Sequence, residues 1–336
     1  MRDYSAQAGC FNKSKRANDM TNKGKAYGYL LGAIAAASFG LNPTFTLPLY
    51  GCGMNPDSVL LLRYGLSVPI IAALILLRGR SFRIPKEGIL PLAGIGVAMT
   101  ISSLALYISY NYMAAGIAST ILFVYPLIVA IIMAVFYHEK LTMQTILCIL
   151  LATSGILLLY NVGGGETLSP YGTAMALASA LAYAIYLVGV NQKHLAGIAT
   201  LTITFWVLLT GSAIYAGRIA LGLSELTLPD TWYLWLDAVG LAVVPTVISL
   251  FCTTKAIQII GSTPTAILGA LEPATAVIMG MLLFNEGMTG REAFGILMIL
   301  IAVSFVIAGG AINGSAIARH LTRIRHMFPK ISRKRD

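Results

Sequence analysis

IASTILFVYPLIVAIIMAVFYHEKLT, residues 117–142, and PTAILGALEPATAVIMGMLLFNEGMT, residues 264–289, are two copies of one pattern. The offset between them stays at 147 residues: Pro126 falls on Pro273, Ile131 on Ile278, Glu139 on Glu286 and Thr142 on Thr289. The match continues at lower strength through Ile149 with Ile296 and Leu150 with Leu297. A fainter echo sets SFGLN at 38–42 beside AYAIY at 182–186. Each copy opens on an apolar run that, at ~1.5 Å rise per residue, is long enough to cross a hydrocarbon core ~30 Å thick.

Runs of that length recur in both directions from the repeat. Spans are predicted at 26–49, 58–77, 88–110, 115–137, 142–160, 170–190, 196–221, 233–254, 263–284 and 291–313. The 336 residues are 57% hydrophobic and 11% charged, against roughly 25% charged in an average soluble protein. The expected fold is therefore an all-α polytopic membrane protein of ten transmembrane helices. Its units are a basic N-terminal tail (1–25), a first five-helix repeat (26–160), a Gly-rich linker (161–169), a second repeat (170–313) and a basic C-terminal tail (314–336). Five crossings per copy force the second copy to enter the membrane from the opposite side, so the repeats are expected to be inverted.

The net charge of +10 has its cause in topology. Six basic residues precede the first span and seven follow the last; Arg78, Arg80, Arg83 and Lys86 join the second and third spans. Lys140, Lys193 and Lys255 lie at other loops of that side, which makes 20 of the 23 basic residues on one face. The positive-inside rule puts both termini in the cytoplasm. No nucleic-acid partner is expected; membrane lipid is the expected partner, with the basic C-terminal tail a candidate to lie on anionic lipid, although topology alone explains its charge. The N-terminal 25 residues have no apolar core and are read as uncleaved. Tyr27, Tyr29, Tyr50, Trp232, Tyr233 and Trp235 at span ends are read as interfacial anchors. Cys10, Cys52, Cys148 and Cys252 lack metal or redox spacing and are expected to be free thiols.

In several stretches the chain resembles EamA-type members of the drug/metabolite transporter superfamily. The resemblance runs over 26–313. It rests on Tyr112-Met-Ala-Ala-Gly-Ile-Ala118, on the Pro126 to Glu139 segment, on its copy from Glu272-Pro273 to Glu286, and on Ser38-Phe39-Gly40-Leu41-Asn42. Phe39 and Tyr183 stand where the family often has Trp, and Ile259 where it usually has Tyr. The resemblance implies ten helices and metabolite transport, commonly export of amino acids or related small molecules.

Ionisable residues inside spans are the sharpest functional signals, since a central Arg, Lys or Asp costs ~2.5–3.5 kcal/mol on insertion scales. Glu272 lies near the middle of the ninth span beside Pro273, which removes one backbone hydrogen bond and leaves a carbonyl four residues back without its partner. A carboxylate there suits a coupling proton or a substrate amine; the alternative is a Glu hydrogen-bonded within the bundle. Arg63, two turns into the second span, has three readings: binding a carboxylate or phosphate, snorkelling to the interface, or pairing with Asp57, Asp237 or Glu272. Pro126 and Pro273 are expected to break their helices, and inverted symmetry sets Tyr125 and Glu272 on opposite sides of one cavity. Asn42, Tyr107, Tyr110, Asn111, Tyr183 and Tyr186 are candidates for its lining, although each alone would more commonly serve interhelical packing. Glu139 and Glu286, at helix exits, are read as caps or surface partners.

The sequence thus points to a secondary transporter of the inner membrane that exports small solutes by alternating access. A sugar-phosphate or nucleotide-sugar carrier is the alternative, but such anions want several cavity cations. A membrane-embedded enzyme would need a Gly-x-Ser-x-Gly or HExxH-type constellation, and neither occurs. No cofactor or metal is expected, because every His lies at a span end or in a tail. The sequence leaves the solute, the coupling ion and the oligomeric state open.

Overall fold

Backbone in hydrocarbon must bond to itself, and the computed structural model, which describes residues 24–113, 115–139, 142–159, 169–195, 197–284, 290–291 and 293–306, contains helices and turns but no strand among them. Residues 1–23 of the predicted N-terminal tail, the end of the last predicted span (307–313), the predicted C-terminal tail (314–336), most of the linker (161–168), Cys10, Glu286 and Thr289 lie outside the described residues.

The first half consists of α1 (24–40) and α2 (Asn42–Gly51), α3 (Pro56–Leu77), α4 (Lys86–Ser109), α5 (Ala115–Leu122) and α6 (Tyr125–Tyr137), then α7 (Met143–Leu159). In the second, α8 (Pro170–Val190) and α9 (Thr200–Ala220) are followed by α10 (Trp232–Ala242), a π-helical turn (Val243–Ile248) and α11 (Ser249–Ile260). The chain continues through α12 (Ser262–Leu268), α13 (Leu271–Phe284) and α14 (Ala293–Val306). Six continuous stretches are long and apolar enough to cross a membrane, namely Gly24–Gly51, Pro56–Leu77, Lys86–Ser109, Pro170–Val190, Thr200–Ala220 and Trp232–Ile260. Shorter apolar helices include α6, α7 and α14. The molecule is an all-α polytopic membrane protein.

Local chemistry sets several boundaries. Asn55 caps α3 by accepting from the Ser58 N–H at 2.9 Å, with Pro56 in the first helical turn, where its missing N–H costs nothing. Ser169 and Pro170 start α8 in the same way. Large apolar side chains cover the outside: Leu77 is 83% exposed, Leu90 82% and Phe136 74%. A water-soluble surface would not carry so much apolar area, whereas lipid accepts it. Trp232, Tyr233 and Tyr27 are exposed at helix ends, as anchors should be. Tyr29 is not one of them: it is 7% exposed and packs in the core. Tyr50 also turns inward, donating its hydroxyl to the Tyr107 carbonyl.

Much of the helix packing survives an exchange of elements for their counterparts about 147 residues away. α4 packs on α8, and the exchanged pair α10 and α2 packs too. The contact of α4 with α9 is matched by α10 with α3, α6 with α8 by α13 with α2, and α11 with α9 by α4 with α3. The contact of α3 with α9 maps onto itself, and that of α6 with α12 maps onto α13 with α5. These last pairs cross from one half to the other, so the centre of the bundle is a seam between the halves.

At one end of the seam Asp57, at the start of α3, accepts from Arg218 Nε at 2.6 Å and Nη2 at 3.3 Å near the end of α9. Beside it Asn55 and Ser58 bond the Glu225 carbonyl. At the other end Thr202 and Trp206 of α9 donate to the Ser81 and Phe82 carbonyls, and the buried Thr263 donates to Glu139. Cys52, Cys148 and Cys252 carry no disulfide.

Because Asp57 is buried and Arg218 is about a third exposed, their pair should be worth more than a surface pair and less than a fully buried one, about 1–2 kcal/mol. Asp57→Asn and Arg218→Gln should each lower the melting temperature of the detergent-purified protein, and the double variant should lose less than the sum. Strict additivity in this double-mutant cycle would show that the pair contributes nothing.

Candidate functional site

Two breaks at equivalent positions shape the centre of the bundle. α5 stops at Leu122 and α6 resumes at Tyr125; α12 stops at Leu268 and α13 resumes at Leu271. Pro126 and Pro273 each fall in the first turn of the resumed helix, where proline is tolerated. The helices are interrupted rather than kinked. The carbonyl that Pro273 was expected to release, that of Gly269, accepts instead from the Glu272 N–H at 2.8 Å.

Residues in the first turns of the two resumed helices meet. Tyr125 and Glu272 share a side-chain hydrogen bond, so they do not stand on opposite walls as symmetry had suggested. Close backbone approach makes the contact possible. A side chain at Gly269 would strike the Tyr125 hydroxyl, and one at Gly40 would strike the Glu272 carbonyl. The Glu272 side chain is partly buried and lies in the first turn of α13, where the helix dipole favours a carboxylate. Around it stands an aromatic wall: Tyr125 meets Tyr183 edge-on at 4.8 Å and Phe123 at 5.1 Å, and Tyr183 stacks on Tyr186 at 5.9 Å. The Tyr186 hydroxyl bonds Thr254 at 3.1 Å.

A second cluster is built on Arg63, which is 1% exposed. It neither snorkels nor pairs with Asp57, Asp237 or Glu272. Its Nε donates to Thr246 Oγ1 at 2.7 Å, Nη1 to the Tyr107 hydroxyl at 3.2 Å and Nη2 to the Pro245 carbonyl at 3.3 Å. Phe39, Tyr64 and Tyr107 place ring faces 5.4–5.9 Å from the guanidinium carbon, a range in which cation–π attraction is worth ~0.5–2 kcal/mol each. The π-helical turn supplies two of the acceptors. Pro245 has no N–H to give the Leu241 carbonyl, and the Thr246 hydroxyl takes that place at 2.7 Å. The wide turn leaves the Pro245 carbonyl facing Arg63. Tyr107 donates in turn to Asn42 Oδ1 at 2.8 Å, and Thr46 lies 3.0 Å from its hydroxyl.

Of the residues singled out in the sequence, Arg63, Asn42 and Tyr107 gather in one cluster, and Glu272, Tyr125, Tyr183 and Tyr186 in the other. Tyr183 links them, lying within electrostatic range of both Arg63 and Glu272. Tyr110 stacks obliquely on Tyr107 at 5.6 Å, at the edge. Asn111 is exposed in the turn after α4 and joins neither cluster. Sequence reasoning passed over Thr46, Thr246 and Thr254, whose hydroxyls complete both clusters. The Pro245-Thr246 pair in mid-span was the available signal for one of them. Among the described residues no group of His, Cys, Asp or Glu side chains is placed to hold a metal.

The sequence pattern of the EamA-like transporter family matches this chain twice, over residues 26–161 and 170–308. A Synechocystis protein described as "Uncharacterized transporter sll1319" is 26% identical over 63% of this chain and 65% of its own length. A protein of Archaeoglobus fulgidus described as "Uncharacterized transporter" is 27% identical over 56% of this chain and 65% of its own. The matched part of this chain thus spans just under two thirds of each relative. A solved crystal structure aligns with 88% of this chain and 99% of its own, with TM-score 0.67 and 21% identity; that likeness concerns the fold.

Crowding at Gly269 gives the site a direct check. Gly269→Ala forces its methyl onto the Tyr125 hydroxyl and should cost about 1–3 kcal/mol, the usual range for overpacking. Adding Tyr125→Phe removes the obstructing oxygen and should recover part of the melting temperature. A double variant less stable than Gly269→Ala alone would mean that the two residues do not meet as described.

Proposed function

The chain belongs to the EamA-like transporter family, and from that premise we propose that it is a secondary exporter of amino acids or related small metabolites that works by alternating access. Ten crossings form two inverted five-helix repeats, 26–160 and 170–313, in the inner membrane, with both termini cytoplasmic. Three findings support this arrangement: the family pattern occurs twice, much of the helix packing is preserved when the halves are exchanged, and helix breaks fall at equivalent places in both. Inverted repeats of this kind put the solute site at the midplane where interrupted helices meet.

The observation that carries the reading is the hydrogen bond between Tyr125 and Glu272, which joins the broken helix of one half to that of the other. Alternating access requires the halves to move against each other about their seam, and this contact lies in it. The solute occupies the space bounded by Glu272, Tyr125, Tyr183, Tyr186, Tyr107, Asn42 and Arg63. Glu272 exchanges a coupling proton or holds a solute amine. Tyr125 holds the carboxylate in one state and releases it in the other. Asn42 and Tyr107 keep the Arg63 face polar, and the tyrosine rings give the solute an apolar surface with polar edges.

The test uses the solute that accumulates in the medium of cells producing the protein but not in that of cells lacking it. In proteoliposomes, Glu272→Gln should reduce transport of this solute driven by a pH gradient to the level of protein-free vesicles, with the protein's yield and melting behaviour retained. Undiminished gradient-driven flux would remove Glu272 from the coupling step.

A further inference from the structure

Arg63 has more hydrogen-bonding capacity than the fold uses. A guanidinium carries five N–H donors, and three of them reach Thr246, Tyr107 and Pro245. The remaining two, one on each terminal nitrogen, have no acceptor among the described residues. The terminal nitrogens of a guanidinium are the ones that commonly meet the oxygens of a carboxylate.

Its charge is equally unmatched. Arg63 and Asp57 are the charged side chains that are buried among the described residues, and Asp57 is already committed to Arg218. Glu272 is bonded to Tyr125. Every acceptor around Arg63 is therefore neutral. Aromatic faces and dipoles lower the cost of a cation in the membrane interior, where an arginine ordinarily pairs with an opposite charge or with backbone carbonyls; Arg63 has one such carbonyl, that of Pro245, and no opposite charge. If its role were only to tie α3 to the π-helical turn, a neutral donor would do so without that cost.

We propose that Arg63 is the anion anchor of the seam and that the transported solute supplies its counter-charge as a single carboxylate. This rests on the reading of the seam as the transport site. A carboxylate fits better than a phosphate dianion for two reasons. One guanidinium balances one charge, and no second Arg or Lys among the described residues is buried with it. Glu272, within electrostatic range of the same Tyr183, would repel a second negative charge.

The experiment is a thermal-stabilisation screen of the purified full-length protein. The panel holds carboxylate metabolites each beside its amide and methyl ester, together with phosphomonoesters, neutral sugars and organic cations. Compounds that stabilise should carry a carboxylate, and conversion to the amide or ester should weaken apparent affinity about 10- to 100-fold, as loss of a charge-assisted hydrogen-bonded pair does. Arg63→Gln should abolish the difference between acid and amide, while Arg63→Lys, a charge without the guanidinium, should retain part of it. The comparison of acid with amide on the unaltered protein stands even if Arg63→Gln folds poorly. Stabilisation confined to phosphates, cations or uncharged solutes, equal affinity for acid and amide, or a panel in which nothing stabilises would each overturn the proposal. Gradient-driven flux of a solute lacking a carboxylate would remove the anchor and keep the transporter. Arg63-dependent binding of a carboxylate that never crosses the reconstituted membrane would do the reverse.

Discussion

Hydrocarbon offers no hydrogen bonds, and the structure follows from that constraint. Each polar group placed at membrane depth must find its partner within the protein. Serine and threonine hydroxyls do so by turning back on their own helices: Thr100 bonds the Gly96 carbonyl, Thr204 that of Thr200 and Thr275 that of Leu271. Interrupted backbone is harder to accommodate. The breaks after α5 and α12 and the π-helical turn all lie at the seam, where protein rather than lipid surrounds them, and the side chains that answer them are those of the two clusters.

The halves share a framework but not a chemistry. Asn42 with Tyr107 in the first half corresponds to Tyr186 with Thr254 in the second, and both pairs are hydrogen-bonded. Tyr125 corresponds to Glu272. Arg63, on α3, has Val207 at the matching place on α9, counted from the first residue of each helix. The halves share much of their helix packing, while Arg63 in one and Glu272 in the other have no charged counterpart. On the proposed mechanism, a symmetric scaffold would serve reciprocal opening toward either side, and an asymmetric lining would give the solute a defined orientation.

Much of the scaffold was legible in the sequence because its signals are local and strong. Long apolar runs fix the helices, and the repeat with its 147-residue offset led to equivalent breaks at Pro126 and Pro273. Three-dimensional detail was less accessible. Nothing local in the sequence says that Tyr125 and Glu272 touch, since that depends on backbone approach at Gly40 and Gly269. Nor does the sequence reveal that Tyr29 is buried while Tyr27, two residues away, is exposed, because a helix apolar all round gives no periodic clue to its inward face. Arg63 was read with three fates, and the structure discards snorkelling and pairing because its surroundings are neutral and closed. Asn111 shows the opposite error: a polar residue next to a cluster in sequence, carried out of it by the end of α4.

The central claim is that the two halves move reciprocally about this seam. Distances between spin labels test it most directly, with one pair at Gly53 and Leu223 near the Asp57–Arg218 end and another at Arg80 and Lys193 near the Ser81–Thr202 end. Measured in the same reconstituted protein with and without a pH gradient, one distance should lengthen as the other shortens. If both stay fixed, or both change in the same sense, the halves do not alternate about the seam.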